Sequence, residues 1–105
     1  MTGAAQDNEA ILAELEALGG EYLWEKEIFV VTLLDTQLSD TAAARIPQLV
    51  GVQQIALNAE RLSFETLQRI ARIPRLESLV LRGCSLSQQQ IRSLASIGPR
   101  VQLIE

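Results

Sequence analysis

The sequence predicts an α/β fold: a short right-handed β/α solenoid with parallel strands on a concave face, helices on the convex face, and an N-terminal helix-strand cap. Three observations predict it. A period of 24 residues begins at Ile28 and recurs to the end of the chain, with one extra residue near the end of the third unit. Each period holds an alternating apolar stretch followed by one with apolar residues three apart. The residues before Ile28 share neither the period nor the charge balance of the rest of the chain.

The period divides residues 28–51, 52–75 and 76–100 into three units, with a partial fourth strand at 101–105. Stacked, they form apolar columns: Ile28, Val52, Leu76 and Val101; Val31, Ile55, Leu79 and Ile104; Leu33, Leu57 and Leu81; Leu38, Leu62 and Leu86. Further columns hold Ala43, Leu67 and Ile91, then Ile46, Ile70 and Leu94, then Leu49, Ile73 and Ile97. The early columns alternate with polar or small residues, as a half-buried strand requires. The later ones recur every three residues, as one face of a helix requires.

Ser39, Ser63 and Ser87 share one column just before each helical run. A serine there can accept a hydrogen bond from an early helix N–H, and Ser87 with Gln90 has the spacing of a capping box. Pro47, Pro74 and Gly98-Pro99 mark the helix ends. Each unit therefore reads as strand, turn, helix and return.

Residues 1–27 read as the cap. Asp7 or Asn8 can start a helix over 8–18, with Ile11, Leu12, Leu15 and Leu18 on one face and Gly19-Gly20 at its end. A strand over 21–24 comes next, then a turn at Glu25-Lys26-Glu27. A stack of repeats needs its end covered by such an amphipathic element. Trp24 is expected to fill the space between cap and first unit.

Charge divides the chain the same way. Residues 1–27 carry seven acids and one base, and the remainder six acids and eight arginines. No concentrated basic stripe appears, so nucleic acid is not an expected partner. With only 4% aromatic residues, the core must be built from Leu, Ile, Val and Ala. Cys84 is the only cysteine, which fits a reducing, cytoplasmic compartment. No apolar run approaches the roughly 20 residues that span a membrane, and the first residues lack a signal-peptide pattern.

The absence of histidine removes Ser–His and Cys–His nucleophile pairs and histidine metal ligands. No glycine loop has phosphate-cradling spacing. The expectation is a protein without catalytic residues, metal or cofactor. Cys84 is expected to pack as a small hydrophobe.

These units resemble the leucine-rich-repeat family, LxxLxLxx(N/C/T)xL. More narrowly, they are similar to the bacterial 24-residue form LxxLxLxxTxLTDxxLxxLxxLxx, of ribonuclease-inhibitor-like type. Thr36-Gln37-Leu38-Ser39-Asp40 matches its TxLTD step, and Cys84 occupies the column where the family places Asn, Thr or Cys. Glu60 departs from that column, which normally faces inward. An unpaired buried carboxylate would be expensive, so Glu60 is expected to turn toward solvent or toward Arg61 or Arg82.

The resemblance is specific for fold and nearly silent on function, so the expected function rests on the strand face. Strand residues between the inward columns point to the concave face: Thr32, Leu34, Ala56, Asn58, Val80 and Arg82. Leu34, Ala56 and Val80 form an apolar diagonal beside Arg82, bordered by Asp35 and Glu77. Exposed apolar groups in neighbouring strands mark interfaces. The expected function is protein–protein interaction through this face. The alternative is a structural unit that self-associates, as a homodimer, through the strand edge at Val101, Leu103 and Ile104.

Overall fold

A computed structural model describes residues 3–84 and 86–104. It is an α/β fold with a five-stranded sheet in the order β1-β2-β3-β4-β5. Helix α1 spans Gly3–Ala17 and is followed by β1 (Glu21–Glu25) and β2 (Ile28–Gln37). A 3-10 turn (Ile46–Gln48) leads to β3 (Gln54–Asn58), α2 (Phe64–Ala71), β4 (Ser78–Arg82), α3 (Gln88–Ile97) and β5 (Arg100–Ile104). β1 and β2 are an antiparallel hairpin closed at Lys26-Glu27, and β2 to β5 run parallel.

The 24-residue period is the register of the parallel ladder. Val31 lies opposite Ile55 and Ile55 opposite Leu79; Leu33 lies opposite Leu57 and Leu57 opposite Leu81. All six side chains are buried against the helices, in one cluster with Leu67, Ile70 and Leu94. At the strand entrances the Gln53 N–H donates to the Phe29 carbonyl, Glu77 to Gln53, and Arg100 to Glu77.

Five expectations need correction. The first unit has no α-helix. Residues 40–45 form turns and 46–48 the 3-10 turn, although Ala43, Ile46 and Leu49 are buried as their columns require. The physical reason is Pro47, which removes a backbone donor and would clash with the carbonyl four residues back. Ala71 and Ala95 hold its column in the other units.

Helix α1 begins before Asn8 and ends at Ala17 rather than running over 8–18. Leu18 is therefore in the turn and exposed. Asn8 is no cap: it lies inside the helix, buried, and its side chain grips the loop before β3. Its Nδ2 donates to the Val50 carbonyl and its Oδ1 accepts from the Val50 N–H, both at 2.9 Å. The side chain of Asp7, the other candidate cap, lies outside the described residues. At Gly20 a Cβ would collide with the Leu33 side chain.

Ile28 is exposed, unlike Val52 and Leu76 in its column. Those two precede their strands, whereas Ile28 is already in the ladder, paired with Glu25. Strict alternation then turns Phe29 inward and Ile28 outward. Trp24 is not core filler. It stacks on Phe29, with ring centroids 5.1 Å apart, and remains 37% exposed.

The last strand is shifted. Val101 lies opposite Leu79 and Leu103 opposite Leu81, an offset of 22, so Val101 belongs to the second column and Ile104 faces away from the helices, opposite Arg82. α3 is two residues longer than α2, but Gly98-Pro99 alone carries the chain from it into β5.

Several local readings hold. Ser63 Oγ accepts from the Thr66 N–H, and Ser87 with Gln90 closes a reciprocal capping box. Cys84 is half-buried against the core. Glu60 is exposed, and its carboxylate accepts from Gln37 Nε2 at 2.7 Å rather than from an arginine; buried Ala59 takes the inward position.

Candidate interaction surfaces

The helices and the core occupy one side of the sheet, and β2 to β4 present their remaining side chains on the other. Strand alternation puts Val30, Thr32 and Leu34 of β2 on this open face, with Gln54, Ala56 and Asn58 of β3 and Ser78, Val80 and Arg82 of β4. Thr32, Ala56 and Val80 are in register across the three strands. The six residues expected on this face are thus brought together on one side of the sheet.

Their accessibility differs from the expectation. Ala56 is only 5% exposed, because its methyl group lies between the larger Thr32 and Val80. It forms the floor of the face and offers little contact area. Thr32, Leu34 and Val80 are half-buried. Asn58 is largely engaged in holding the fold: its Nδ2 donates to the Leu34 carbonyl at 3.4 Å and its Oδ1 accepts from the Glu60 N–H at 3.1 Å.

Arg82 is not a free cation. Its Nη1 lies 3.2 Å from Asp35 Oδ1, and the pair reaches from β4 across β3 to the end of β2. Asp35 is almost wholly exposed, so water screens the pair and it adds little to stability. It does hold the guanidinium over the face, beside Asn58.

Sequence reasoning missed the extension of this face onto β1. Leu23 pairs with Val30 and Glu21 with Thr32, so Leu23 joins the open face, 47% exposed. Only the antiparallel hairpin places them there, and the 24-residue period does not cover β1. A second feature lies at the strand entrances. A cleft of about 590 Å³ opens between Trp24, Ile28, Val50 and Arg75, with Glu25, Lys26 and Glu77 on its rim. Its apolar walls are the residues the corrected cap leaves uncovered.

Asp40 forms a further polar cluster where the first unit meets α2. Its Oδ1 accepts from the Ser63 N–H and from the Thr66 hydroxyl, both at 2.9 Å. The Ser63 N–H, and then the Thr66 hydroxyl, hold its carboxyl below the ordinary value. This arrangement extends the serine cap into a link between units. Among the described residues, no group of three or more Cys, Asp or Glu side chains is placed to hold a metal ion. Nor is any helix long and apolar enough to cross a membrane.

No family model, curated protein or solved structure matches this chain.

Proposed function

We propose that this chain is a short β/α solenoid of leucine-rich-repeat type that binds a partner protein through the open face of its sheet and catalyses no reaction. The observation that carries the reading is the in-register row of Thr32, Ala56 and Val80, flanked by exposed Leu23 and by the Asp35–Arg82 pair. It combines an apolar floor, half-exposed aliphatic walls and a held arginine, a residue enriched at protein interfaces and at their hot spots. The 24-residue ladder register supports the solenoid, and a lone half-buried thiol at Cys84 fits a cytoplasmic setting.

The test is capture of the native partner from extracts of the source organism. The double variant Val80→Ser with Arg82→Ala should lose at least tenfold in capture of a protein identified with the wild type. Its melting temperature should fall by no more than a few degrees. Undiminished capture would remove the open face as the site.

A second reading, self-association through the edge strand β5, is favoured by a specific observation. Leu103 is 41% exposed although its register partner Leu81 is fully buried.

A further inference from the structure

Among the described residues, β1 is hydrogen-bonded in the sheet only to β2, and β5 only to β4. Both edges are five residues long and contain neither proline nor a bulge, two of the features that discourage edge pairing. Both expose large apolar groups on the helix side of the sheet. On β1 these are Tyr22, 42% exposed, and Trp24; on β5 it is Leu103, beside half-buried Val101.

We propose that the β1 edge of one copy adds to the β5 edge of the next, antiparallel, so that copies join head to tail in one continuous sheet. The proposal rests on the self-association reading and names the surface that β5 meets. Direction is set by the chain itself: β1 is antiparallel to β2, and β2 to β5 are parallel. A copy that continues the sheet therefore brings its β1 antiparallel to β5.

In the matched register Arg100 faces Glu25 of the next copy, Val101 faces Trp24, and Leu103 faces Tyr22. The faces agree as well as the sequence. Tyr22 and Trp24 pair with inward Val31 and Phe29, while Val101 and Leu103 pair with inward Leu79 and Leu81. All four lie on the helix side, and Arg100 and Glu25 both lie on the open side.

Charge selects this pairing over its competitors. Joining two β1 edges antiparallel would set Glu21 against Glu25 twice, and like charges directly opposite are destabilising. Joining two β5 edges sets Arg100 against Ile104 and leaves the β1 aromatics uncovered. The helices repeat the pattern, since α1 carries Glu9 and Glu16, besides Glu14, which pairs with Arg45, while the only charged residue of α3 is Arg92. A head-to-tail contact of this kind grows beyond two copies, as a ring or an open filament.

Light scattering and sedimentation of the purified chain over a wide concentration range test it. The expected result is a mass that rises past that of a dimer. Glu25→Arg and Arg100→Glu, both at exposed positions, should each lower association at least tenfold while leaving the circular dichroism unchanged. An equal mixture of the two variants should regain it, because every junction between unlike variants again joins opposite charges. A mass that levels at two copies and ignores Glu25→Arg would leave self-association standing and overturn this register in favour of β5 pairing with itself. A monomer at every concentration would overturn both.

Discussion

Asn8 shows how much one polar side chain can decide. It is buried inside α1, where a leucine would satisfy the helix, yet it matches the backbone of Val50 donor for acceptor. The pair ties the N-terminal helix to the loop that feeds β3, 42 residues away in sequence. Asn8→Ala would leave a partly buried N–H and C=O without partners. The expected loss is about 1–3 kcal/mol, read as a shift of the urea midpoint with an unchanged slope. Asp40 acts at the same scale with a pH signature. Its folded carboxyl lies below the ordinary value of 3.8 because the Ser63 N–H and the Thr66 hydroxyl favour the charged form. A group depressed on folding contributes stability above its unfolded value and loses it as pH falls through the folded one. The melting temperature of the wild type should therefore fall more steeply below about pH 4 than that of Asp40→Asn. Equal slopes would show that Asp40 does not link the first unit to α2.

The first two units turn back toward the next strand through a left-handed residue. Gly51 has φ +85° at the last position of the first unit, and Arg75 has φ +71° at the same position of the second. Glycine adopts this region without strain, whereas an L side chain is strained there by roughly 1–2 kcal/mol. A Cβ built on Gly51 would meet no atom within 4 Å, so Gly51→Ala isolates the backbone effect. The variant should lose about 1 kcal/mol by thermal unfolding. A gain would mean that the loop can leave the left-handed region at little cost. The elements also differ in how they close. Pro47 keeps the first unit to a 3-10 turn, while Ser63 and Ser87 start true helices in the second and third. The first two units bury the same two columns, because a 3-10 turn can deliver Ile46 and Leu49 to the core as a helix delivers Ile70 and Ile73.

At the scale of the whole molecule, the apolar groups that stay outside are unevenly placed. Tyr22, Leu23, Trp24 and Ile28 belong to the hairpin and Leu103 to β5, at the two ends of the sheet, while Leu18 and Val50 lie in the loops after α1 and before β3. The middle is well covered: Leu57, Leu67, Ile70 and Leu79 have no accessible surface. Half-burial of Leu86, Ile91 and Ile97 in the third unit is a consequence of position, since no described element packs beyond α3. An element at the end of the sheet has a neighbour on one side only, so the two ends carry the exposed surface. The open face is a separate surface with its own chemistry. Its binding and the edge-to-edge contact can be separated by mutation, since Val80 and Arg82 are apart from Glu25 and Arg100.

The local pattern of the chain determined the α/β class, the inward residues of β2, β3 and β4 and the serine caps. Those features depend on alternation, spacing and short-range hydrogen bonds, all of which recur every 24 residues. They were therefore legible three times over. Where the period stops, legibility stops with it. The tertiary structure alone decided that Asn8 grips Val50, that Ile28 turns outward, and that β5 slips to an offset of 22. The open face divided in the same way. Its residues were legible because parity assigns them a side, but the burial of Ala56 and the Asp35–Arg82 pair were not. Parity says which way a side chain points. What stands beside it depends on contacts between strands far apart in sequence, and on the sizes of the neighbours that the fold brings there.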